Sequence, residues 1–338
     1  MKSKTRKAWW LAAAAAGTLL GIRAYTKQRN AYNFSGKVVL ITGGSRGLGL
    51  VLARQFAAEG ARLAICARNL GELEAAQQQL EAGGAEVYAQ VCNLRIEQDL
   101  KHMIHQVEEH YGRIDVLVNN AGVIQVGPLE NQSVEEFREA LDVHYWAPLH
   151  TMLAVMPGMK ERREGRIINI ASVGGKVSLP HLVPYSGSKF GLVGLSEGFQ
   201  AELKKYNILV TTINPGLMRT GSPSHAIIKG QHQKEYAWFS TLDVTPLISM
   251  EAQVAARRII AASRYGIPEK TLTVAGKLAV VLHGIAPSLM GDYFALVNRF
   301  LPEPGSDVRA SGKKSDSILT PEWARKINEE VARANNET

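Results

Sequence analysis

Lys37-Val-Val-Leu-Ile-Thr42 runs directly into Gly43-Gly-Ser-Arg-Gly-Leu-Gly49, and an apolar-periodic stretch continues from Leu48 to Ala57. The first piece is a short apolar run bounded by Gly36, which reads as a buried parallel strand, and the last reads as a helix. A strand that passes through a glycine-rich turn into a helix is suited to a dinucleotide pyrophosphate. Glycine lets the backbone approach the phosphates, and the first free N–H groups of the helix point at them. The spacing is T-G-x-x-x-G-x-G rather than G-x-G-x-x-G. Thr42, Gly43, Ser45, Arg46, Gly47, Leu48 and Gly49 are therefore candidate cofactor-binding residues.

Apolar runs at about 37–42, 62–67, 86–92, 114–119, 166–171, 208–213 and 271–275 alternate with helical stretches. Such alternation predicts an α/β fold: a Rossmann-like, doubly wound parallel sheet of about seven strands with helices on both faces. Ligands bind such sheets at the carboxyl ends of the strands, where the glycine turn, Asn120, Ser172 and Asn214 all fall.

Tyr185-Ser-Gly-Ser-Lys189 supplies the chemistry, because residues four apart share a helical face. A phenol with an ordinary pKa of ~10 is protonated at neutral pH, and a nearby cation favours its ionised form. Lys189 is thus expected to draw Tyr185 toward the range of a general acid or base. Taken alone, the pair reads far more readily as a solvated helical contact, and it is the context that reverses this.

Together these stretches resemble the short-chain dehydrogenase/reductase family, and further landmarks follow in order. Ile114-Asp-Val-Leu-Val-Asn-Asn-Ala-Gly122 is similar to the family's fourth strand ending in N-N-A-G. Arg166-Ile-Ile-Asn-Ile-Ala-Ser172 is similar to the fifth, and Asn214-Pro-Gly216 with Thr220 to the loop that closes over the nicotinamide. The resemblance spans roughly residues 36 to 275. It implies that Tyr185 gives its proton to a carbonyl oxygen, that Ser172 hydrogen-bonds that oxygen as charge develops, and that Lys189 holds the nicotinamide ribose. Asn120, Ala121, Gly122, Pro215, Gly216 and Thr220 join the cofactor set on the same ground.

Family enzymes often carry an asparagine, supporting a relay water, where this chain has His144 in Leu141-Asp-Val-His-Tyr-Trp-Ala-Pro148. Imidazole both donates and accepts, so an altered relay and a space-filling ring are the alternatives. Arg68 stands after the second strand where NAD-preferring relatives carry an acid, and Arg46 adds a second cation. A guanidinium suits a 2′-phosphate, which favours NADP(H) over NAD(H). Asn93, beside Leu94 in the adenine-side cofactor set, replaces a usual acidic residue. No metal-ligand spacing is present, and Cys66 and Cys92 read as buried reduced thiols.

The chain has 338 residues, 46% of them hydrophobic, and a formal charge of +8. Its excess cations cluster near the ends, without an aromatic-interleaved basic helix, which argues against nucleic acid as a partner. They flank Ala8–Ile22, whose fifteen residues make a helix of about 22 Å against a hydrocarbon core of roughly 30 Å. Anchor, interfacial helix and cleaved signal are the readings, and Trp9 and Trp10 favour membrane attachment. Cofactor supply then requires the catalytic domain to face the cytoplasm.

The expected organisation is a basic, hydrophobic membrane-associating segment over 1–35 and the catalytic domain over 36–275, with residues 216–245 covering the substrate. An apolar helical extension follows over 276–302, then a polar linker and a helix over 303–338. The apolar extension can line a substrate entrance, lie on a bilayer or pack on the core. In the last helix Trp323, Ile327 and Val331 share a face for docking on the domain or on a partner subunit.

The resemblance implies an oxidoreductase and a homo-oligomer, dimer or tetramer; the N-terminal segment adds membrane association, and Arg68 with Arg46 adds NADP(H) preference. Its substrate is a hydrophobic carbonyl or alcohol: steroid, retinoid, long-chain acyl or quinone-like. An NAD-dependent alcohol dehydrogenase and a catalytically weak NADPH sensor or scaffold are the other readings.

Overall fold

Val38–Thr42 forms β1, all five residues buried. Val39 and Ile41 enter one core while Val38 and Leu40 enter the other, so an unbroken apolar run suits a strand covered on both faces. The computed structural model describes residues 31–246 and 248–337. The segment 8–22 lies outside these residues.

After β1 come α1 (Gly47–Ala58), β2 (Arg62–Ala67), α2 (Leu70–Ala82), β3 (Val87–Val91), α3 (Glu97–Tyr111) and β4 (Val116–Asn119). The short strand β5 (Gln125–Val126) and helices α4 (Val134–Leu141) and α5 (Ala147–Arg162) lead to β6 (Gly165–Ile170), α6 (Val183–Leu203) and β7 (Ile208–Asn214). Next are β8 (Met218–Arg219), β9 (Ile227–Gly230), α7 (His232–Val244), β10 (Met250–Glu251), α8 (Ala252–Arg264) and β11 (Glu269–Thr271). The chain continues with α9 (Val274–Ile285), α10 (Pro287–Asn298), β12 (Ser306–Ser311), α11 (Gly312–Ser315) and α12 (Glu322–Ala334).

Seven strands form one sheet in the order β11-β7-β6-β4-β1-β2-β3, and every neighbouring pair is parallel. The winding reverses between β1 and β4, which opens the crevice where the glycine turn and the β4 loop meet. One core, with Phe34, Leu50, Phe56 and Ile259, lies on one face of the sheet; Leu100, Met103, Val155 and Met159 belong to the other. Local signals fix the helix ends. Asn69 accepts from the Glu72 N–H at the start of α2, and Ser133 with Glu136 forms a capping box at α4. Between α4 and α5 the backbone widens into a π-turn over Asp142–Trp146, with His144 wholly buried in it.

Several boundaries differ from the sequence-based expectation. The domain begins before Gly36: Tyr32 and Phe34 are buried, Tyr32 donates its N–H to Arg264 O, and Phe34 packs edge-on to Phe56. The last strand ends at Thr271 instead of extending to 275, because the Thr273 side chain accepts from Gly276 N–H and caps α9. The expected polar linker contains β12, which pairs antiparallel with β9; β9 in turn pairs with β5. Pro321 stands at the N-cap of α12, whose buried positions are Ala324 and Ala332. Trp323 remains 46% exposed, so the docking face is rotated from the expected one. Among the described residues no helix is long and apolar enough to cross a membrane.

Candidate active site

The glycine turn is braced from the β4 loop. Thr42 Oγ1 accepts from the N–H groups of Asn120 and Ala121, and Asn120 Nδ2 donates to the carbonyls of Thr42 and Gly43 at 3.0 and 3.1 Å. Gly47 has φ +55°, a left-handed conformation that side chains disfavour. A Cβ on Gly49 would overlap the Gly43 carbonyl and come within 2.6 Å of Asn120 Nδ2. Two of the turn's glycines are thus required by backbone geometry, and the cradle they leave fits a diphosphate. Around it, Arg68 is exposed at the end of β2, and Asn93 accepts from Arg95 N–H ahead of α3. Arg46 lies 3.5 Å from both Glu72 and Glu337.

Ser172 follows β6, and Tyr185 and Lys189 stand on the first turns of α6. The Ser172 side chain lies near the Tyr185 hydroxyl and favours its ionised form, and Ser172 Oγ accepts from Gly174 N–H at 3.0 Å. Lys189 donates to Ile170 O at 2.7 Å, with its Nζ 5.7 Å from the Tyr185 ring centre. The three side chains are brought together, but their electrostatics differ from expectation. Tyr185 is pushed up, not down: burial of the phenol dominates, the Ser172 side chain opposes it, and the Asp243 charge adds to it. Burial also lowers Lys189 to about 7. At the pH where the phenol would ionise, the amine is therefore neutral and offers no cation.

His144 is committed at both nitrogens. Nε2 accepts from Val123 N–H at 3.1 Å, so the proton resides on Nδ1, which donates to Ser188 Oγ at 2.8 Å. Ser188 Oγ in turn donates a hydrogen bond to the main-chain carbonyl of Tyr185 at 2.8 Å. Burial, then the Lys189 charge, depresses the ring well below the usual histidine range. The ring stands edge-on to Tyr185 with centres 5.4 Å apart. It ties the β4 loop to α6.

Beside Ser172 and Tyr185 lies a cavity of about 300 Å³. Ile124, Leu182, Leu217, Phe239 and Ile248 wall it, and Pro215, Gly216 and Thr220 line the same space. Ala275, Gly276 and Ala279 bring α9 to its rim. Val274, Leu278, Val281, Ile285, Leu289 and Phe300, on and after that helix, are each at least 55% exposed. The apolar extension therefore lines the cavity at a few positions and leaves a broad apolar face uncovered.

Sequence reasoning missed two features of the site. One is Asp243 on α7, a buried carboxyl lining the cavity, pushed up to about 8 mainly by burial. The other is the segment 335–337 after α12. Gly47 N–H donates to Asn335 O at 2.8 Å, and Asn336 Nδ2 donates to Ser45 O and Glu72 O at 3.0 and 3.1 Å. Asn-Asn-Glu carries no pattern that points at a glycine turn almost 300 residues earlier. Cys66 and Cys92 are free, buried and adjacent, the Cys66 thiol held up by its hydrogen bond to Cys92 and by burial. Among the described residues no group of acidic, histidine or cysteine side chains is placed to hold a metal.

The family model described as short chain dehydrogenase matches residues 37–255. Dehydrogenase/reductase SDR family member 7B of Bos taurus is 32% identical over 279 residues, 80% of this chain and 81% of that protein. A short-chain dehydrogenase of Streptomyces avermitilis superposes with a TM-score of 0.68 at 27% identity, covering 79% of this chain and 98% of that one. A metagenomic short-chain oxidoreductase solved with NADP superposes with a TM-score of 0.58 at 28% identity, covering 72% and 98%.

Proposed function

Since the chain belongs to the short-chain dehydrogenase/reductase family, we propose that this oxidoreductase is an NADP(H)-preferring reductase of apolar carbonyl compounds that works at a membrane surface. One observation carries the reading: Ser172 and Tyr185, with Lys189 on the same helix as the tyrosine, stand at the wall of a cavity lined mainly by apolar side chains. A steroid, retinoid, long-chain acyl or quinone-like body suits such walls.

When bound, the nicotinamide supplies the hydride. Tyr185 then gives its phenolic proton to the carbonyl oxygen, while the Ser172 hydroxyl donates a hydrogen bond to the same oxygen as negative charge grows on it. A phenol raised by burial is protonated at working pH, which suits the reductive direction. Lys189, lowered to about 7, exchanges protons readily at neutral pH and resupplies the tyrosine. Gly43, Gly47 and Gly49 admit the diphosphate, and Asn120, Ala121 and Gly122 support the nicotinamide side. Arg68 and Arg46 favour a 2′-phosphate. The exposed apolar face of α9 and α10 adjoins the cavity, which supports substrate entry from a bilayer with the catalytic domain on the cytoplasmic side. Self-association as a dimer or tetramer belongs to the same proposal.

The test is single-turnover oxidation of NADPH against a panel of apolar ketones and aldehydes in detergent. Wild type is expected to oxidise NADPH with at least one member, and Tyr185→Phe to lose about 100-fold or more of that rate with NADPH affinity kept. Tight NADPH binding with no tyrosine-dependent oxidation across the panel would instead make the protein a cofactor-bound sensor.

A further inference from the structure

Asp243 is the anomaly of the cavity. It is 5% exposed, and its Oδ2 has no hydrogen-bond partner among the described residues. Met218 N–H and the Arg219 guanidinium favour its charge, while burial and Glu337 oppose it. Tyr236 on its own helix and Tyr185 across the cavity are the neighbouring phenols. A buried carboxyl with an unused oxygen is costly to the fold unless a ligand completes it.

We propose that Asp243 recognises a second, neutral oxygen function, a hydroxyl or carbonyl, on an otherwise apolar carbonyl substrate. This rests on the cavity being the substrate site. A protonated carboxyl donates through its O–H and accepts through its carbonyl oxygen, so both groups are matched. A substrate carboxylate is disfavoured, because Asp243 and Glu337 already crowd that region with acidic groups.

The experiment compares kcat and KM for matched pairs of apolar ketones with and without a second hydroxyl, in wild type, Asp243→Asn and Asp243→Leu. Wild type is expected to prefer the hydroxylated member by at least about tenfold in kcat/KM, mostly through KM. Asp243→Asn, which keeps a donor and an acceptor, is expected to retain the preference; Asp243→Leu is expected to lose it, read as the ratio of kcat/KM for the two ketones within the same variant. A Leu variant with the full preference, or a wild type with none, overturns the assignment and leaves the reductase intact. No tyrosine-dependent turnover of either ketone overturns the reductase reading as well.

At the other end of the cleft, different residues act on the cofactor. Asn335 O takes the first N–H of α1 at Gly47, and Glu337, 5% exposed, packs its carboxyl against Gly47 and 3.5 Å from Arg46. Arg54 holds the segment by donating to Ala334 O at 2.9 Å, and Asn335 Nδ2 reaches Thr220 O. A backbone carbonyl thus takes the N–H that a diphosphate would use, and a carboxyl pairs with the cation assigned to the 2′-phosphate. We infer that Asn335–Glu337 set cofactor affinity by competing for the glycine turn, and that cofactor docking displaces them.

NADPH binding, read by nicotinamide fluorescence, is compared among the full chain, Glu337→Gln, Asn336→Ala and a chain stopped after Ala334. Removal of 335–338 is expected to tighten binding by about tenfold or more, with smaller gains for the point variants. Saturating NADPH is expected to speed hydrogen exchange at the 335–337 amides of the full chain. Equal or weaker binding without the segment, or slower exchange with NADPH present, overturns the competition. If no form binds NADPH, the cofactor reading fails and the competition with it.

Discussion

At the glycine turn the polar groups are paired: Thr42 Oγ1, Asn120 Nδ2, Gly47 N–H and Ser45 O all have partners between 2.8 and 3.1 Å or close to it. Across Tyr185, the cavity offers mainly apolar walls and a carboxyl oxygen with no partner among the described residues. Both regions are needed for one hydride transfer, yet they are built differently. A diphosphate is recognised by backbone N–H groups, so the turn must hold one conformation before the cofactor arrives. An apolar substrate is recognised by shape and by few polar points, so a cavity can leave a polar group unsatisfied until binding. The first region is stable and rigid; the second gives up stability for recognition.

The sharpest way to break that contrast is Gly49→Ala. Its methyl has nowhere to go, because the Gly43 carbonyl on one side and Asn120 Nδ2 on the other are fixed by the β4 brace. A destabilisation of about 3 kcal/mol or more is expected, together with loss of NADPH binding. Chemical unfolding and a cofactor titration measure both. A variant with wild-type stability and affinity would mean the turn is far more pliant than its hydrogen bonds imply.

Asp243→Asn probes the opposite region and is expected to stabilise. The folded-state value of about 8 lies above the ordinary 3.8, so between those values the unfolded chain has released a proton that the folded chain keeps. Stability from this group is therefore full at low pH and falls as pH rises toward 8; asparagine has nothing to release. The variant should match wild type near pH 4 and exceed it near pH 8 by on the order of 3 kcal/mol. Glu337, raised to about 7 chiefly by burial, titrates in both proteins and opposes the Asp243 charge, so the difference reports Asp243 together with that coupling. A gap between the two chains that stays constant with pH would show that Asp243 does not titrate this way.

The same contrast explains what could be read from sequence. The strand, turn and helix at 38–58 were legible because an all-buried strand needs an uninterrupted apolar run and the turn needs glycines at set positions. Ser172 and Tyr185 were legible as a pair through the motifs on either side of them. The substrate region was not, since its walls come from residues scattered between 124 and 279 with no common spacing. An aspartate within His232–Val244 reads as a surface charge until the fold buries it. Ser306–Ser311 reads as linker because its side chains are polar and its partner β9 supplies the order. The hold of Asn335 on Gly47 is a backbone contact, which leaves no trace in residue types.

A smaller effect sharpens the cofactor half. Arg46 is already engaged by Glu72 and Glu337, whereas Arg68 makes no ion pair among the described residues. Arg68→Glu is expected to lower the ratio of NADPH to NADH affinity by about tenfold, or 1.4 kcal/mol. Titration of both cofactors against both proteins reads it, and an unchanged ratio would remove the basis for NADP(H) preference.

The smallest effect is expected at the junction of the two halves, from His144→Asn. The ring joins Val123 N–H to Ser188 Oγ, so asparagine would lose part of a buried bridge and leave some space. A cost of about 1 kcal/mol in stability follows, with the single-turnover rate within about threefold of wild type. Because burial keeps the imidazole neutral, the pH profile of the rate should not move. A relay through the ring would behave otherwise: the rate would drop or its pH dependence shift while the unfolding midpoint stayed in place. Measuring the two together separates a side chain that carries protons from one that holds the β4 loop against the tyrosine helix, and the pairing of both nitrogens favours the second.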